Sequence, residues 1–598
     1  MHVALACLTI VAWFGLGSIL LASVPAVSDR FLDLLNRIGA GAIASALLTF
    51  AAGWAGLLYP NGYRIAFALA VLAGLVTVYA LREHIPRPRF SKWPRWQLLL
   101  AGLLALYIAV GLLATSAPVS SPDALLYHAA DPALFEKSHR IFEIPWNSSS
   151  YEPFTVEMLV LDGGLLWDTV QGAFAPFLLA LVALAAVVGA TLRLAGRAAA
   201  LLAGAIFFAQ PFIAWETTSV FVEPGVAAAI ALATWNLVHF GRYSDRSALV
   251  LAGVFAGGAA GMKYLGLLAL LALAIAGLSL FWRRLTRWHV VAFALPAIAI
   301  AAPWYLKNAI LTGNPFYPHL FGGLNSSATT ELEATVESFG RGDGPLDLLL
   351  LPVRLLTDGE AFDGGEFISP LFLAFAPLVL LLPRGNRPPT AVWTGVLAYV
   401  LMWFATSQQA RFLLPLMPVV AVLAALGVLA LASRGPRSRL VAAAATTLVL
   451  AFGFAASSAY ASQFASVVAG RESKETFLVK KVSLYEGVEW LNRHLTSDDR
   501  VALDMWSLLY LEIPYVTFGT MGDLLPPGAG PAATRSFVAR NNITHVAVLD
   551  TNTARRRQIG YLQTRLLARV SVRPVRSRTR SEFGPRRKML VYLLEQRS

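Results

Sequence analysis

Asp123 lies in SSPDALLYHAADPALFEKSHRIFEIPW, directly after an apolar run at 98–117. Ser121 followed by Pro122 reads as a helix start, so the carboxylate falls in a first turn, in water but close to a lipid surface. There it can act as a general base toward a hydroxyl that attacks a lipid-linked donor. The plainer reading is an Asp that favours the helix dipole by about 0.3–1 kcal/mol, and position alone favours that one. Glu223 shifts the balance. It sits in TTSVFVEPGVAAAIALATWNLVHF, an otherwise apolar run. An ionisable group inside a span costs about 2.5–3.5 kcal/mol on insertion scales, which makes it a functional candidate. Lys263, in FAGGAAGMKYLGLLALLAL, is the same case with opposite sign, flanked by small residues that admit close approach. A structural Glu223–Lys263 pair is the alternative for both. Arg411 opens another apolar run in SQQARFLLPLMP, where an interfacial Arg ordinarily snorkels. Two cations and two carboxylates at the ends of different runs suit a phosphate-sugar site better than any one of them does.

A second group of candidates is aromatic or hydrogen-bonding. In PWYLKNAILTGNPFYPHLFGG (303–323), Gly313–Asn314–Pro315 and Tyr317–Pro318 force a turn. Tyr317 and His319 there can offer ring faces and polar tips to a sugar or a prenyl phosphate. An anchor in the interfacial aromatic belt is the alternative, and for Tyr317 alone it is the stronger. His128 and Asp131 are spaced for one helix face, and with Asp123 they could ligate a divalent metal. The lack of a second histidine in that turn argues against it, so no metal ligand is assigned and the metal stays open as a cofactor.

These residues need spans to hold them, and the composition supplies spans. Of 598 residues, 57% are hydrophobic and only 14% charged, with mean hydropathy +0.61. Soluble domains carry roughly a quarter charged residues, so a water-soluble enzyme is excluded. Apolar runs recur near 3–25, 39–58, 64–81, 98–117, 171–191, 198–214, 220–240, 248–262, 264–281, 289–306, 368–382, 390–405, 411–432 and 440–459. They predict an all-α polytopic domain of about 13–14 transmembrane helices. The first run lacks a basic leader and reads as a span rather than a cleavable signal. One cysteine, Cys7, excludes an internal disulfide, a Cys-ligated zinc and an iron–sulfur cluster.

Basic residues cluster in short loops at 82–97, 193–197, 242–246, 283–287, 384–387 and 434–439. All fall on one side only if 248–281 is a hairpin broken at Gly261, and that side is then the inside. The segments 118–170, 307–367 and everything after 460 lie outside. Loop 118–170 is acidic, with Glu136, Glu143, Glu152, Glu157, Asp162 and Asp168 besides Asp123 and Asp131. The spans before 98 are less firmly oriented, because 27–38 carries only Arg30 and Arg37.

Region 460–598 alternates like a small soluble α/β unit: a helix at 483–495, strands at 500–505 and 545–550, and a helix at 535–542 between them. From Thr551 to the end, thirteen Lys/Arg face two acidic residues, much of the chain's net +13. Such a tail can hold anionic lipid head groups or a phosphorylated substrate, or simply form a solvated basic face. Nucleic acid is disfavoured, with only Tyr561, Phe583 and Tyr592 there to stack bases. The domains are 1–97, extra N-terminal helices; 98–459, a transmembrane catalytic unit with outer loops 118–170 and 307–367; and 460–598, the outside α/β domain with its basic tail.

Taken in order, PDALLYH (122–128), VFVEP (220–224), GMKYLG (261–266), PWYLKNAILTGNPFYP (303–318) and QQARFLLPLMP (408–418), followed by EWLNRHL and ITHVAVL, resemble a bacterial glycosyltransferase of the GT-C superfamily. These are multispan enzymes that use polyprenyl-phosphate sugars, with PMT/ArnT-like and RgtA-like branches. Relatives read Asp-x-Leu-x-Tyr-His, Tyr-Val-Asp-Leu and Gly-Thr-Lys-Tyr-Thr-Gly in the first three motifs. Here Phe221, Glu223 and Pro224 replace Tyr, Asp and Leu, and Met262 and Leu265 replace the two Thr. The resemblance covers about 98–550 and says nothing of the sugar. It implies inverting transfer on the extracytoplasmic face of a bacterial inner membrane, from a polyprenyl-phosphate-linked sugar to a cell-envelope acceptor that is a lipid, glycan or protein. It also implies Asp123 as general base, Lys263 and Arg411 near the departing phosphate, and His128, Glu157, Glu223, Tyr264, Asn314 and Tyr317 as further substrate contacts. Glu223 would bind sugar hydroxyls, orient Lys263 or help hold a metal.

Two other classes compete. A transporter or flippase would use the charges as a path, but such sites lie near the bilayer midplane, whereas these candidates lie at outer ends, and no inverted repeat is evident. A scaffold that recruits an envelope partner leaves Glu223 and Lys263 unexplained except as a structural pair.

Overall fold

The computed structural model describes residues 1–82, 93–321, 339–363, 375–383, 388–504, 507–519, 524–574 and 584–595. Most of the 82–97 loop, residues 368–374 of the 368–382 run and the 384–387 loop lie outside the described residues.

Among the described residues, twelve apolar helices build the membrane part: α1 (His2–Leu20), α2 (Arg30–Trp54), α3 (Pro60–Leu81), α4 (Arg95–Thr115), α7 (Thr169–Phe208), α9 (Glu223–Tyr243), α10 (Arg246–Ala260), α11 (Leu265–Phe281), α12 (Arg287–Thr312), α14 (Thr390–Thr406), α15 (Met417–Ala432) and α16 (Pro436–Val468). Among the described residues, nine segments are long and apolar enough to cross a membrane, the eighth being Ala410–Ala432; α10, α11 and α14 are shorter. The chain is a multi-pass membrane protein of the expected all-α class. Helix α7 covers two expected runs in 40 residues. It breaks at Gly196, whose φ of +80° is a backbone that side-chain-bearing residues rarely adopt. The expected hairpin is present: α10 ends at Ala260 and α11 begins at Leu265. Helix α10 packs on α12 through Gly253 and Gly257, where any added Cβ would meet the carbonyl oxygens of Phe293 and Ala297.

The turns at one end are tied together. Asp29 pairs with Arg193 at 2.8 Å, and Ser28 bonds His239 at 2.9 Å. The basic turns at 193–197 and 239–246 therefore share that end with residues 28–30. At the other end lie α5 (Ala130–Ser138), α6 (Thr155–Leu166) and α8 (Pro211–Thr218), with α13 (Pro345–Thr357) in the 307–367 segment.

After α17 (Lys474–Lys481) and α18 (Tyr485–His494) comes a five-stranded sheet: β1 (Val501–Leu503), β2 (Tyr515–Thr517), β3 (His545–Leu549), β4 (Thr564–Val572) and β5 (Arg587–Leu594), with α19 (Pro531–Arg540) and α20 (Thr553–Ile559) between strands. Its order is β2-β1-β3-β5-β4. Strand β1 runs parallel to β2 and β3, while β5 is antiparallel to β3 and β4. Ala502 faces Val516 and Val546 in register, so the buried centre is apolar on each side. Here the basic stretch after 551 differs from a free tail. RLLARVSV and RKMLVYLL alternate well enough to pair, and they close the sheet.

This domain rests on loop 118–170. The amides of Leu508 and Leu509 donate to Leu125 O at 3.0 and 3.2 Å. Tyr510 Oη donates to Val119 O at 2.7 Å, and Lys137 Nζ to Leu511 O at 2.9 Å.

Candidate active site

Asp123 occupies the first turn of a short helix that widens into a π-helical turn over Ala124–His128. The expected cap from Ser121 is not formed: its hydroxyl donates to Ser219 O at 2.6 Å, tying this helix to the turn before α9. Arg411 Nη1 donates to Asp123 Oδ2 at 3.0 Å, and Arg411 Nε lies 3.7 Å from Asp363 Oδ2. The guanidinium also stands 4.7 Å from the Phe221 ring centre and 5.2 Å from that of Phe412.

The Phe412 ring links this pair to a second one. Lys263 Nζ is 4.9 Å from the same ring centre and donates to Glu223 Oε1 at 3.0 Å. Local structure supports both charges. Glu223 is the first residue of α9 and Lys263 follows the last turn of α10, so each faces the helix pole of opposite sign. Glu223 is fully buried and Lys263 8% exposed, whereas the Asp123 side chain keeps 21% of its surface. The cluster therefore opens to solvent at Asp123. Arg411 is fixed from behind, because Trp403 Nε1 donates to Gln409 O at 2.8 Å and Tyr399 Oη to Phe412 O at 2.7 Å.

The other sequence candidates fall into two neighbouring groups. His128 Nδ1 and Glu157 Oε1 are 2.6 Å apart, both side chains almost wholly buried. His128 meets the Phe221 ring edge-on at 5.8 Å, so the pair backs onto the charged cluster. Below it, Asn147 Nδ2 donates to both Asp131 oxygens at 3.2 Å. Burial drives the Asp131 pKa well above the usual carboxylate range, against the Asn147 bond. Glu152 is raised too, by burial first, with Lys263 and His128 opposing.

Tyr264, Asn314 and Tyr317 form the last group. Tyr264 Oη donates to Tyr317 O at 2.7 Å and accepts from Asn308 Nδ2 at 2.8 Å. Asn314 Oδ1 accepts from Phe316 N at 2.8 Å, and its amide nitrogen reaches Leu320 O. Tyr317 is 3% exposed, with its ring edge-on to Tyr151 at 5.0 Å. These contacts shape the 313–320 turn itself, beside the cluster rather than within it.

No three or more His, Cys, Asp or Glu among the described residues are grouped to hold a metal ion, and one Glu223 oxygen is engaged by Lys263.

Sequence reasoning missed Glu216, Asp363 and the two phenyl rings. Glu216 had a signal: it is the other acid in the apolar stretch leading to Glu223, seven residues upstream. Asp363 had none, since its place beside Arg411 depends on the path of the 339–363 segment.

No family model matches the chain, and no curated protein does. Solved structures do. The chain is similar to ArnT from Cupriavidus metallidurans in its apo state, with 17% identity, TM-score 0.52, and 82% of this chain and 98% of that one covered. Mycobacterial arabinofuranosyltransferase AftD aligns at 15% identity and TM-score 0.47 over 86% of this chain and 41% of its own. The Archaeoglobus fulgidus oligosaccharyltransferase aligns at 12% identity and TM-score 0.43, over 74% of this chain and 69% of that one. What is shared with ArnT is the fold: a polytopic helical membrane domain bearing a small C-terminal domain.

Proposed function

We propose that this protein is an integral-membrane glycosyltransferase that moves a sugar, with inversion, from a polyprenyl-phosphate donor to a cell-envelope acceptor. The observation that carries the reading is the Asp123–Arg411 pair at the open edge of the cluster, one aromatic ring away from the buried Glu223–Lys263 pair. A lone structural ion pair needs neither a second cation nor an exposed carboxylate. A phosphate-sugar needs both.

The arrangement suggests an order of events. Arg411 is held by Asp123 before substrate arrives, and an incoming phosphate competes for its guanidinium, whose paired N–H donors suit phosphate oxygens. That competition releases Asp123 as a base. Asp123 takes the proton of the acceptor hydroxyl, the oxygen attacks the anomeric carbon, and the anomeric C–O bond breaks with its electrons leaving on the polyprenyl phosphate. The leaving phosphate needs positive charge rather than a proton, and Arg411 and Lys263 supply it. Glu223 keeps Lys263 charged and aimed. His128 with Glu157 supports the wall formed by Phe221, while the Tyr264–Tyr317 turn bounds the site beside Lys263. No metal is given a step.

The basic turns at the opposite end support an orientation with the cluster on the extracytoplasmic face of a bacterial inner membrane. The test is reconstitution into vesicles with a radiolabelled polyprenyl-phosphate sugar. Label transferred covalently to an envelope acceptor supports the reading. Label that crosses the bilayer unchanged makes the protein a transporter, and no change of either kind leaves a scaffold.

A further inference from the structure

Glu216, at the end of α8, is fully buried, and neither of its carboxyl oxygens has a hydrogen-bond donor within reach. An ionised carboxylate in that state would carry a desolvation penalty with nothing to offset it. Its carboxyl lies within hydrogen-bonding reach of Glu223. Glu223 in turn uses Oε1 for Lys263 and has no donor on Oε2. Two buried carboxyl groups therefore face one another, each with an unsatisfied oxygen. One shared proton satisfies one oxygen of each.

The backbone holds them in place. Phe221 N donates to Glu216 O at 3.1 Å, closing the turn between α8 and α9, and Val220 within it takes φ +59°. That is a left-handed conformation a β-branched residue adopts only when its surroundings enforce it. Of the elements packed on α8, α9 presents Glu223, the 410–416 turn presents Arg411, and the turn before α11 presents Lys263. Helix α16 brings Tyr460, bonded to Ser219. The neighbouring stretches of α4 and α7 carry no charged residue at this level.

We infer that Glu216 is a positioning residue that carries a proton and donates it as a hydrogen bond to the second oxygen of Glu223. Glu223 is then gripped on both oxygens, by an acid and by an ammonium. Burial first, and the Glu223 carboxylate second, push Glu216 well above the usual carboxylate range, with Arg411 and Lys263 opposing. The consequence concerns the charge of the site. With Glu216 neutral, Lys263 and Arg411 face Asp123, Asp363 and Glu223. Loss of its proton adds one more negative charge beside the cations and weakens their hold on a phosphate. Resting on the glycosyltransferase reading for its ligand, this makes donor-phosphate affinity fall as pH rises through the Glu216 ionisation, by up to about tenfold per pH unit for one linked proton.

The test uses full-length protein in lipid nanodiscs, with undecaprenyl phosphate as probe and infrared difference spectra as an independent readout. Glu216→Gln keeps shape and an N–H donor but cannot ionise. Against wild type at neutral pH it should lack one protonated-carboxyl C=O band. It should also bind undecaprenyl phosphate with wild-type affinity at neutral pH and lose the alkaline fall. Glu216→Leu, which fills the site without a donor, should bind several-fold more weakly at neutral pH, again without the alkaline fall. Identical carboxyl bands in wild type and Glu216→Gln would overturn the inference, and so would an alkaline fall that persists in Glu216→Gln. If the band is lost but neither protein binds undecaprenyl phosphate, the protonated Glu216 stands and the donor assignment fails.

Discussion

Asp123→Asn keeps the side chain's shape and an oxygen for Arg411 Nη1, 3.0 Å away, and removes only the negative charge. The stability cost follows from what Arg411 retains. Its side chain is 11% exposed, but Asp363 at 3.7 Å, Gln409 Oε1 at 3.2 Å and two aromatic faces remain. The loss is therefore about 1–2 kcal/mol, short of the roughly 3–5 kcal/mol of a stranded buried charge. If Asp123 is the base, turnover falls by about 10²–10⁴-fold. Affinity for undecaprenyl phosphate stays level or tightens, because the carboxylate no longer competes for Arg411. The assay is transfer from a radiolabelled polyprenyl-phosphate sugar at saturating acceptor, with Kd measured separately on the same preparation. A helix-dipole role predicts a different result, a loss of at most about 1 kcal/mol with turnover intact. Partial rescue by excess divalent cation would make Asp123 a metal ligand. Near-wild-type turnover refutes the mechanism, and Glu223 becomes the next carboxylate to test.

Lys263→Met keeps most of the stem and should weaken undecaprenyl phosphate binding about 10–100-fold, the worth of one charge-assisted hydrogen bond; if it fails to fold and Glu223→Gln in the same chain rescues it, the pair is structural only. Sidedness is read by cysteine labelling in a Cys7→Ser background, from the extracytoplasmic face. Arg140→Cys and Thr551→Cys, both at exposed positions, should react while exposed Arg284→Cys should not; the reverse pattern inverts the topology and removes the mechanism. Asp131 tests a buried acid: its folded-state pKa is raised far above 3.8, so the folded chain binds the extra proton and stability is lost as pH rises above the unfolded value. Thermal melts of wild type should decline with rising pH over that range, and those of Asp131→Asn should stay flatter.

The membrane helices were legible because apolar runs of spanning length have few other uses, and the Gly261 break because basic turns must share a side. The four charged candidates converge, although only Glu223 and Lys263 stood at positions costly enough to imply it. Three things were hidden. Glu216 was overlooked because the run around it scores as a span end, where one acid looks interfacial. Strands β4 and β5 were masked by arginine, although Leu566, Ala568 and Val570 alternate with polar or exposed neighbours and β5 buries Met589, Leu590 and Val591. The Ser121 cap was a sound local expectation, defeated by Ser219 O, a partner 98 residues away. Contacts of that span depend on how helices pack, and local pattern does not encode them.

The clasp between the β1–β2 connection and Leu125, two residues past Asp123, bears on how the protein is made. The membrane helices are synthesised first and can insert as they emerge. The turn that presents Asp123 must wait for residues 507–511, which reach it only after every span has been threaded. Until then the π-helical turn lacks the two amides that engage its carbonyl. On the proposed function, a product stalled or clipped before residues 507–511 can sit in the bilayer with its cations in place and still lack the clasp that holds the Asp123 turn.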